Sequence, residues 1–219
     1  MEKIDELKQR IADILKVNAA SIDNGFPLNQ GRLKTSAGTL ILSNAIKKIY
    51  GKSVNCKNVS SFGELMSRIN GEEVAADLAS KTNVDSPCSA TKLVATNNSG
   101  LPVCGIDIQE IDVFPESDDY WKEDFYTDNF TKDEIAYCVL ADSPRHSFAA
   151  RWCVKEALHK CGAVYYNIPL IDIQVAQNKD GLLRVELREG DNWTVLPLSC
   201  SLSHAENYAV GMVTGVVGR

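Results

Sequence analysis

A carboxylate and an ammonium stand one helical turn apart in Phe148-Ala-Ala-Arg-Trp-Cys-Val-Lys-Glu-Ala-Leu-His-Lys160, where Glu156 is followed four residues later by Lys160. Side chains at that spacing share one helix face. Upstream, Gly105-Ile-Asp-Ile-Gln-Glu-Ile111 carries Asp107, and downstream Ser201-Leu-Ser-His204 carries His204. Two carboxylates can hold a magnesium ion and leave its other positions to water and phosphate oxygens. A lysine and a histidine beside them can meet the charge of a phosphate group. Taken singly, each member has an ordinary reading. A Glu with a Lys four residues on is a common surface pair contributing about 0.2–0.5 kcal/mol. A strand Asp is often an edge or capping residue, and a His in a turn is often simply solvated. The combination on three elements is what points to a site for metal and phosphate.

The elements around these residues read as α+β. Val103-Cys-Gly-Ile-Asp-Ile predicts a strand with Ile106 and Ile108 on one face and Asp107 on the other. Asp142-Ser143-Pro144 is a helix start, with Pro at the first helical position, so the helix carrying Phe148 to Lys160 has a defined beginning, and Gly162 marks its stop. Strands are expected over Ile168–Ala176, Leu182–Leu187 and Trp193–Ser203, with turns at 178–181 and 190–192. Tyr208–Val217 then closes an antiparallel sheet.

The first part of the chain differs in kind. Ile4, Leu7, Ile11, Ile14 and Leu15 have helical spacing; Leu40, Ile41, Ala45, Ile46 and Ile49 predict a second helix ending at Gly51; Phe62, Leu65, Met66 and Ile69 predict a short third. Residues 72–100 are rich in Ser, Thr, Asn and Ala, which reads as a linker, although 72–80 can extend a helix. The expected organisation is a small helical bundle over 1–71, a linker over 72–100 and an α+β domain over 101–219. No internal repeat is visible. Residues 1–71 hold eleven Lys and Arg against six Asp and Glu, a balance of +5, and 101–219 hold ten against nineteen, a balance of −9. Opposite fields steer two bodies together, while the alternative is that each part simply has a solvated surface of its own sign.

With 219 residues and 44% hydrophobic content, the chain can build real cores. No apolar run reaches membrane-spanning length and the start lacks the apolar stretch of a secretory signal, so a soluble cytoplasmic protein is expected. Seven cysteines, an odd count without Cys-x-x-Cys spacing, argue against a disulfide framework or a zinc site. Most are expected to be small buried residues. Nucleic-acid binding by the basic first part has only charge behind it, without a motif or interleaved aromatics, so no nucleic-acid partner is expected.

Residues 101–219 resemble the holo-acyl-carrier-protein synthases of the 4′-phosphopantetheinyl transferase superfamily. The resemblance rests on Gly-Ile-Asp-Ile-x-Glu-Ile, on Phe-Ala-x-Arg-(aromatic)-x-x-Lys-Glu-Ala with a Lys four residues past the Glu, and on Ser-Leu-Ser-His, all present in order. It implies transfer of the phosphopantetheine arm of coenzyme A to a serine of an acyl carrier protein, releasing adenosine 3′,5′-bisphosphate, in the setting of fatty acid biosynthesis. By position, Asp107 and Glu156 are the implied Mg²⁺ ligands. Glu156, Lys160 and His204 are the implied catalytic residues, and Arg151, Lys155, Lys160, Ser203 and His204 the coenzyme A contacts. A carboxylate or a metal-bound water is implied as acceptor of the serine proton. The family's trimers, with the site between subunits, imply a homotrimer. Two departures stand out. The loop after Lys160 is one residue shorter than the family pattern. At Ile111-Asp-Val113, where the family has an Arg that grips an acidic carrier, the chain continues into Glu116, Asp118, Asp119, Glu123 and Asp124, a charge that repels an acidic carrier.

Residues 1–71 resemble an acyl carrier protein in outline. The family's Asp-Ser-Leu falls on Thr35-Ser36-Ala37, so Ser36 is either a phosphopantetheine attachment site or a helix N-cap. Arg32, Lys34, Lys47 and Lys48 stand where a carrier is usually acidic, which suggests a charge-swapped pair in one chain, with the first domain a substrate in cis or a docking module. The alternative for the whole chain is a non-catalytic coenzyme A-binding regulatory or carrier-docking protein.

Overall fold

The computed structural model describes residues 2–71, 100–178 and 180–217. The chain divides into two compact units, Met1–Asn97 and Asn98–Arg219. The expected linker and the helical extension over 72–80 lie outside the described residues, except for Gly100.

In the first unit, α1 (Glu2–Leu15), α2 (Ser36–Tyr50) and α3 (Phe62–Asn70) close over one core. That core is built by Leu7 and Ile11 of α1, Leu42 and Ile46 of α2, Phe62, Leu65 and Ile69 of α3, and Ile22, Leu28 and Leu33 from the connections. α2 turns a different edge inward than the spacing suggested. Leu42, Ile46 and Ile49 are buried, while Leu40, Ile41 and Ala45 are half-buried. Gly51 and Gly71 end α2 and α3 in the left-handed conformation, at φ 71° and 79°, which glycine adopts without a Cβ clash.

The second unit places α4 (Asp124–Asn129), α5 (Lys132–Cys138) and α6 (Pro144–His159) with two three-stranded antiparallel sheets. One has the order β1-β6-β5, from β1 (Leu101–Glu110), β6 (Tyr208–Val217) and β5 (Leu198–Ala205). The other runs β2-β3-β4, from β2 (Ile173–Gln177), β3 (Leu183–Glu189) and β4 (Asn192–Val195). The strand expected over Trp193–Ser203 is therefore broken. Pro197 cannot donate a ladder hydrogen bond, and the chain changes sheet between Val195 and Leu198. The strand expected from Ile168 begins at Ile173, after a 3₁₀ turn at Leu170–Asp172. α4 and α5 lie between the expected elements, where the sequence pattern predicted none. α5 is held by a reciprocal capping box in which Thr131 accepts from the Glu134 N–H and Glu134 accepts from the Thr131 N–H.

α6 is buried nearly all round, with Phe148, Trp152, Val154, Ala157 and Leu158 among its fully buried residues. On one side Phe114, Phe125, Tyr126, Phe130, Phe148 and Trp152 form an aromatic core of edge-on, tilted and stacked rings. Inside it lies a charge. Lys155 is wholly buried and donates to Glu134 Oε2 at 2.7 Å, the Asn129 carbonyl at 2.8 Å and the Leu170 carbonyl at 2.9 Å. Glu134 Oε1 accepts from the Val175 N–H at 3.0 Å. Burial lowers the Lys155 pKa, and the Glu134 carboxylate opposes the shift. The pair joins α5, α6, β2, the end of α4 and the turn before β2. Among the described residues no helix is long and apolar enough to cross a membrane, and Cys56, Cys138, Cys153 and Cys161 are free and buried, as expected of most. Cys88 lies outside the described residues.

Removing one partner strands a buried charge, so Glu134→Ala is expected to destabilise the second unit by about 3–5 kcal/mol. Urea unfolding followed by tryptophan fluorescence checks this, since Trp121, Trp152 and Trp193 all lie in that unit.

Candidate active site

β1 alternates so that Gly105, Asp107 and Gln109 face α6 while Ile106 and Ile108 face away, at 59% and 66% exposure. Two glycines allow the close approach. A Cβ on Gly105 would lie 1.9 Å from the Ala157 carbonyl oxygen, and one on Gly211, the strand partner of Asp107, would lie 2.3 Å from the Val154 nitrogen. The sheet therefore sits directly on the helix backbone, and Asp107 is brought onto α6.

Asp107 Oδ1 accepts from Lys160 Nζ at 2.8 Å, and the same ammonium donates to the Ile106 carbonyl at 2.8 Å. Lys160 is the C-cap of α6 rather than part of the helix proper. Helical side chains lean toward the N-terminus, which carries its ammonium back over Asp107, and a cation is favourable at a helix C-terminus. The lysine is half-exposed at 50%, the aspartate largely buried at 14%. Asp107 Oδ2 is buried and has no hydrogen-bond partner. On α6, Cys153 and Lys160 line up two turns apart, with Glu156 between them on the same side. Asp107 lies beside Cys153, whose thiol is pushed up by burial and further by that carboxylate. Glu156 is half-buried.

Among the described residues no group of three or more His, Cys, Asp or Glu gathers into a metal cage. Asp107 and Glu156 are the carboxylates that can hold a cation here. An unmet buried carboxylate oxygen, with a second carboxylate on the adjoining helix, fits an ion that keeps most of its shell for water and phosphate.

The remaining predicted residues divide. His204 is exposed on β5, its ring 5.2 Å from that of His146. His146 Nε2 lies 3.1 Å from the Glu206 carbonyl oxygen. Across the sheet, His204 sits two strands and two residues from Asp107 on the same face, roughly 12 Å away by strand spacing and rise, so within this chain it does not touch the Asp107–Lys160 pair. Ser203 points to the outer sheet face with Ile108, through the pairing Ser203, Val210, Ile108, the face opposite to that of His204. Arg151 and Lys155, expected as coenzyme contacts, are turned into the interior. Arg151 is 3% exposed, packs over the Tyr137 ring at 4.0 Å and donates to the Ser147 carbonyl. All three Lys155 donors are used in the core.

Two residues escaped sequence reading. His146 stands out only by meeting His204, 58 positions along the chain. Arg145 donates to Glu116 at 2.6 Å, to Asp112 at 3.4 Å and to the Ile111 carbonyl. An arginine thus does reach the place where the family pattern has one, from α6 rather than from Ile111–Val113. In the first unit Thr35, not Ser36, is the N-cap of α2, accepting from the Gly38 N–H at 3.0 Å. Ser36 is the first helical residue and is exposed.

Residues 103–213 match the family described as the 4′-phosphopantetheinyl transferase superfamily. The chain belongs to that family. The transferase expected from the three motifs is met at this level. Among similar proteins, the fatty acid synthase subunit alpha of Schizosaccharomyces pombe is 30% identical over 141 residues, covering 61% of this chain and 7% of that protein. The holo-[acyl-carrier-protein] synthase of Thermodesulfovibrio yellowstonii is 33% identical over 109 residues, covering 50% of this chain and 93% of that one. The chain thus spans only a small part of the fungal subunits and nearly all of the bacterial synthase. Among solved structures, the Chronobacterium ammoniagenes ACPS–CoA complex matches with a TM-score of 0.43 and 20% identity, covering 54% of this chain and 99% of that chain.

Proposed function

We propose that the second unit transfers 4′-phosphopantetheine from coenzyme A to a serine of an acyl carrier protein, releasing adenosine 3′,5′-bisphosphate, in a Mg²⁺-dependent reaction. The observation that carries the reading is the buried, unpartnered Asp107 Oδ2, on β1 beside Lys160 and against the helix that carries Glu156, within the stretch that matches the family. Asp107 and Glu156 hold the cation, which when bound screens the diphosphate charge. The serine oxygen attacks the β-phosphorus, the bond to the bridging oxygen breaks, and the serine proton passes to a carboxylate of the site. Lys160 meets the charge that grows on the phosphate oxygens. His204, with His146 against it, contacts a part of coenzyme A distant from the reacting diphosphate. Replacing Asp107 and Glu156 together by Ala is expected to lower Mg²⁺-dependent turnover at least about a hundredfold, measured as mass gain of an apo carrier; retained turnover removes these ligands from the reading.

A homotrimer is part of this proposal. Ile106, Ile108, Tyr208, Met212 and Val216 are exposed together on the outer face of the β1-β6-β5 sheet, and an apolar patch of that kind marks a protein interface. Light scattering is expected to give three copies for the wild-type protein and one for Ile108→Lys.

The first unit is a carrier-like substrate in cis or a docking module. Ser36 is exposed and Thr35 relieves it of capping. Lys34, Lys47 and Lys48 are exposed as well, and their sign is opposite to that of the second unit. A tether raises the effective concentration of a partner to roughly millimolar. Intact-mass measurement after incubation with coenzyme A and Mg²⁺ is expected to show one phosphopantetheine added, lost in Ser36→Ala; no addition in either leaves the docking role.

A further inference from the structure

The geometry points to Lys160 as the resident counter-ion of Asp107, which a divalent cation must displace, so that cation binding releases an ammonium toward the incoming phosphate. This rests on the reading of Asp107 and Glu156 as cation ligands.

Three observations carry it. The ammonium lies 2.8 Å from Asp107 Oδ1 and donates as well to the Ile106 carbonyl, so it holds the carboxylate from a fixed point on β1. The two partners differ in freedom: Asp107 is largely buried on a strand, whereas Lys160 is half-exposed at the end of α6. When they separate, it is the lysine that moves, outward into solvent. The lysine also satisfies only half of the carboxylate, because Oδ2 is buried without a partner. Burying an anion on a single ammonium leaves part of its lost hydration unmet, and a doubly charged ion on the same carboxylate compensates more of it.

Full contact of both cations with one carboxylate is opposed by their repulsion across a few ångströms of partly desolvated space. The carboxylate therefore exchanges one for the other. Displaced, the Lys160 ammonium remains on its four-carbon stem at the mouth of the site, where an anionic group arrives. Cation and diphosphate then favour each other's binding, since the first removes from the lysine the partner that the second replaces, and such coupling is reciprocal.

Mn²⁺ alone, titrated into the full chain without coenzyme A and followed by the electron paramagnetic resonance of the free ion, tests this. Because an occupied site reduces apparent affinity by the fraction competent to bind, Lys160→Met is expected to bind Mn²⁺ roughly three- to tenfold more tightly than wild type, and Lys160→Arg, which keeps the competing cation, about as wild type does. Asp107→Asn and Glu156→Gln are expected to lose the site. An independent arm uses the unmodified protein. Labelling of Lys160 by an amine-reactive ester, read by peptide mass spectrometry, is expected to rise several-fold when Mg²⁺ saturates the protein, with other lysines unchanged. Unchanged or weaker Mn²⁺ affinity in a folded Lys160→Met protein, or labelling indifferent to Mg²⁺, overturns the counter-ion role. Undiminished Mn²⁺ binding in Asp107→Asn and Glu156→Gln overturns instead the reading of these carboxylates as ligands.

Discussion

The second unit depends on how closely two strands approach the backbone of α6. At Gly105 and Gly211 there is no space for a methyl group between sheet and helix, so the separation is set by backbone atoms rather than by side chains that can repack. This makes the position of Asp107 stiff. A larger residue at either glycine pushes the sheet off the helix, and every contact of the carboxylate with α6 shifts with it. The same approach makes the interior face of β1 a place where a polar side chain must be held by something. Lys160 Nζ does this for one oxygen, and the other is left unmet.

Lys155 and Glu156, adjacent in the chain, show what that packing does to charge. One residue of rotation about the helix is about 100°, enough to send Lys155 into the aromatic core and Glu156 to the half-buried margin beside the sheet. Lys155 is stable inside because Glu134 and two carbonyls take all its protons. Its role is to fix α6 against α5 and β2. The Lys-Glu pair at the heart of the motif is thus one structural ion and one candidate ligand, and the firmness of the first supports the placement of the second.

Much of this arrangement was legible in the sequence, for identifiable reasons. The helix starting at Pro144 and the strand through Asp107 announced themselves by a preset φ and by alternation, and β6 runs where it was expected. The break at Pro197 was not read, although proline within a strand is a stop, because the apolar run around it suggested one continuous strand where the chain changes sheet. What could not be read was any pairing across long stretches of chain. Arg145 with Glu116, His146 with His204 and Lys155 with Glu134 each join residues more than twenty positions apart, and no local spacing encodes them. Burial was the other blind spot. Arg151 and Lys155 look like surface cations in a helix with alanines, and only partners distant in sequence, the Tyr137 ring for Arg151 and Phe130 with Glu134 for Lys155, meet them inside.

The two ends of α6 carry different chemistry. Its C-terminal end meets the carboxylate–ammonium cluster of Asp107 and Lys160. Its N-terminal end meets Arg145, His146 and, through β5, His204. The glycine contacts that place Asp107 lie against Cys153, Val154 and Ala157, toward the middle and C-terminal part of α6, so the position of that carboxylate is set independently of the side chains gathered around His146.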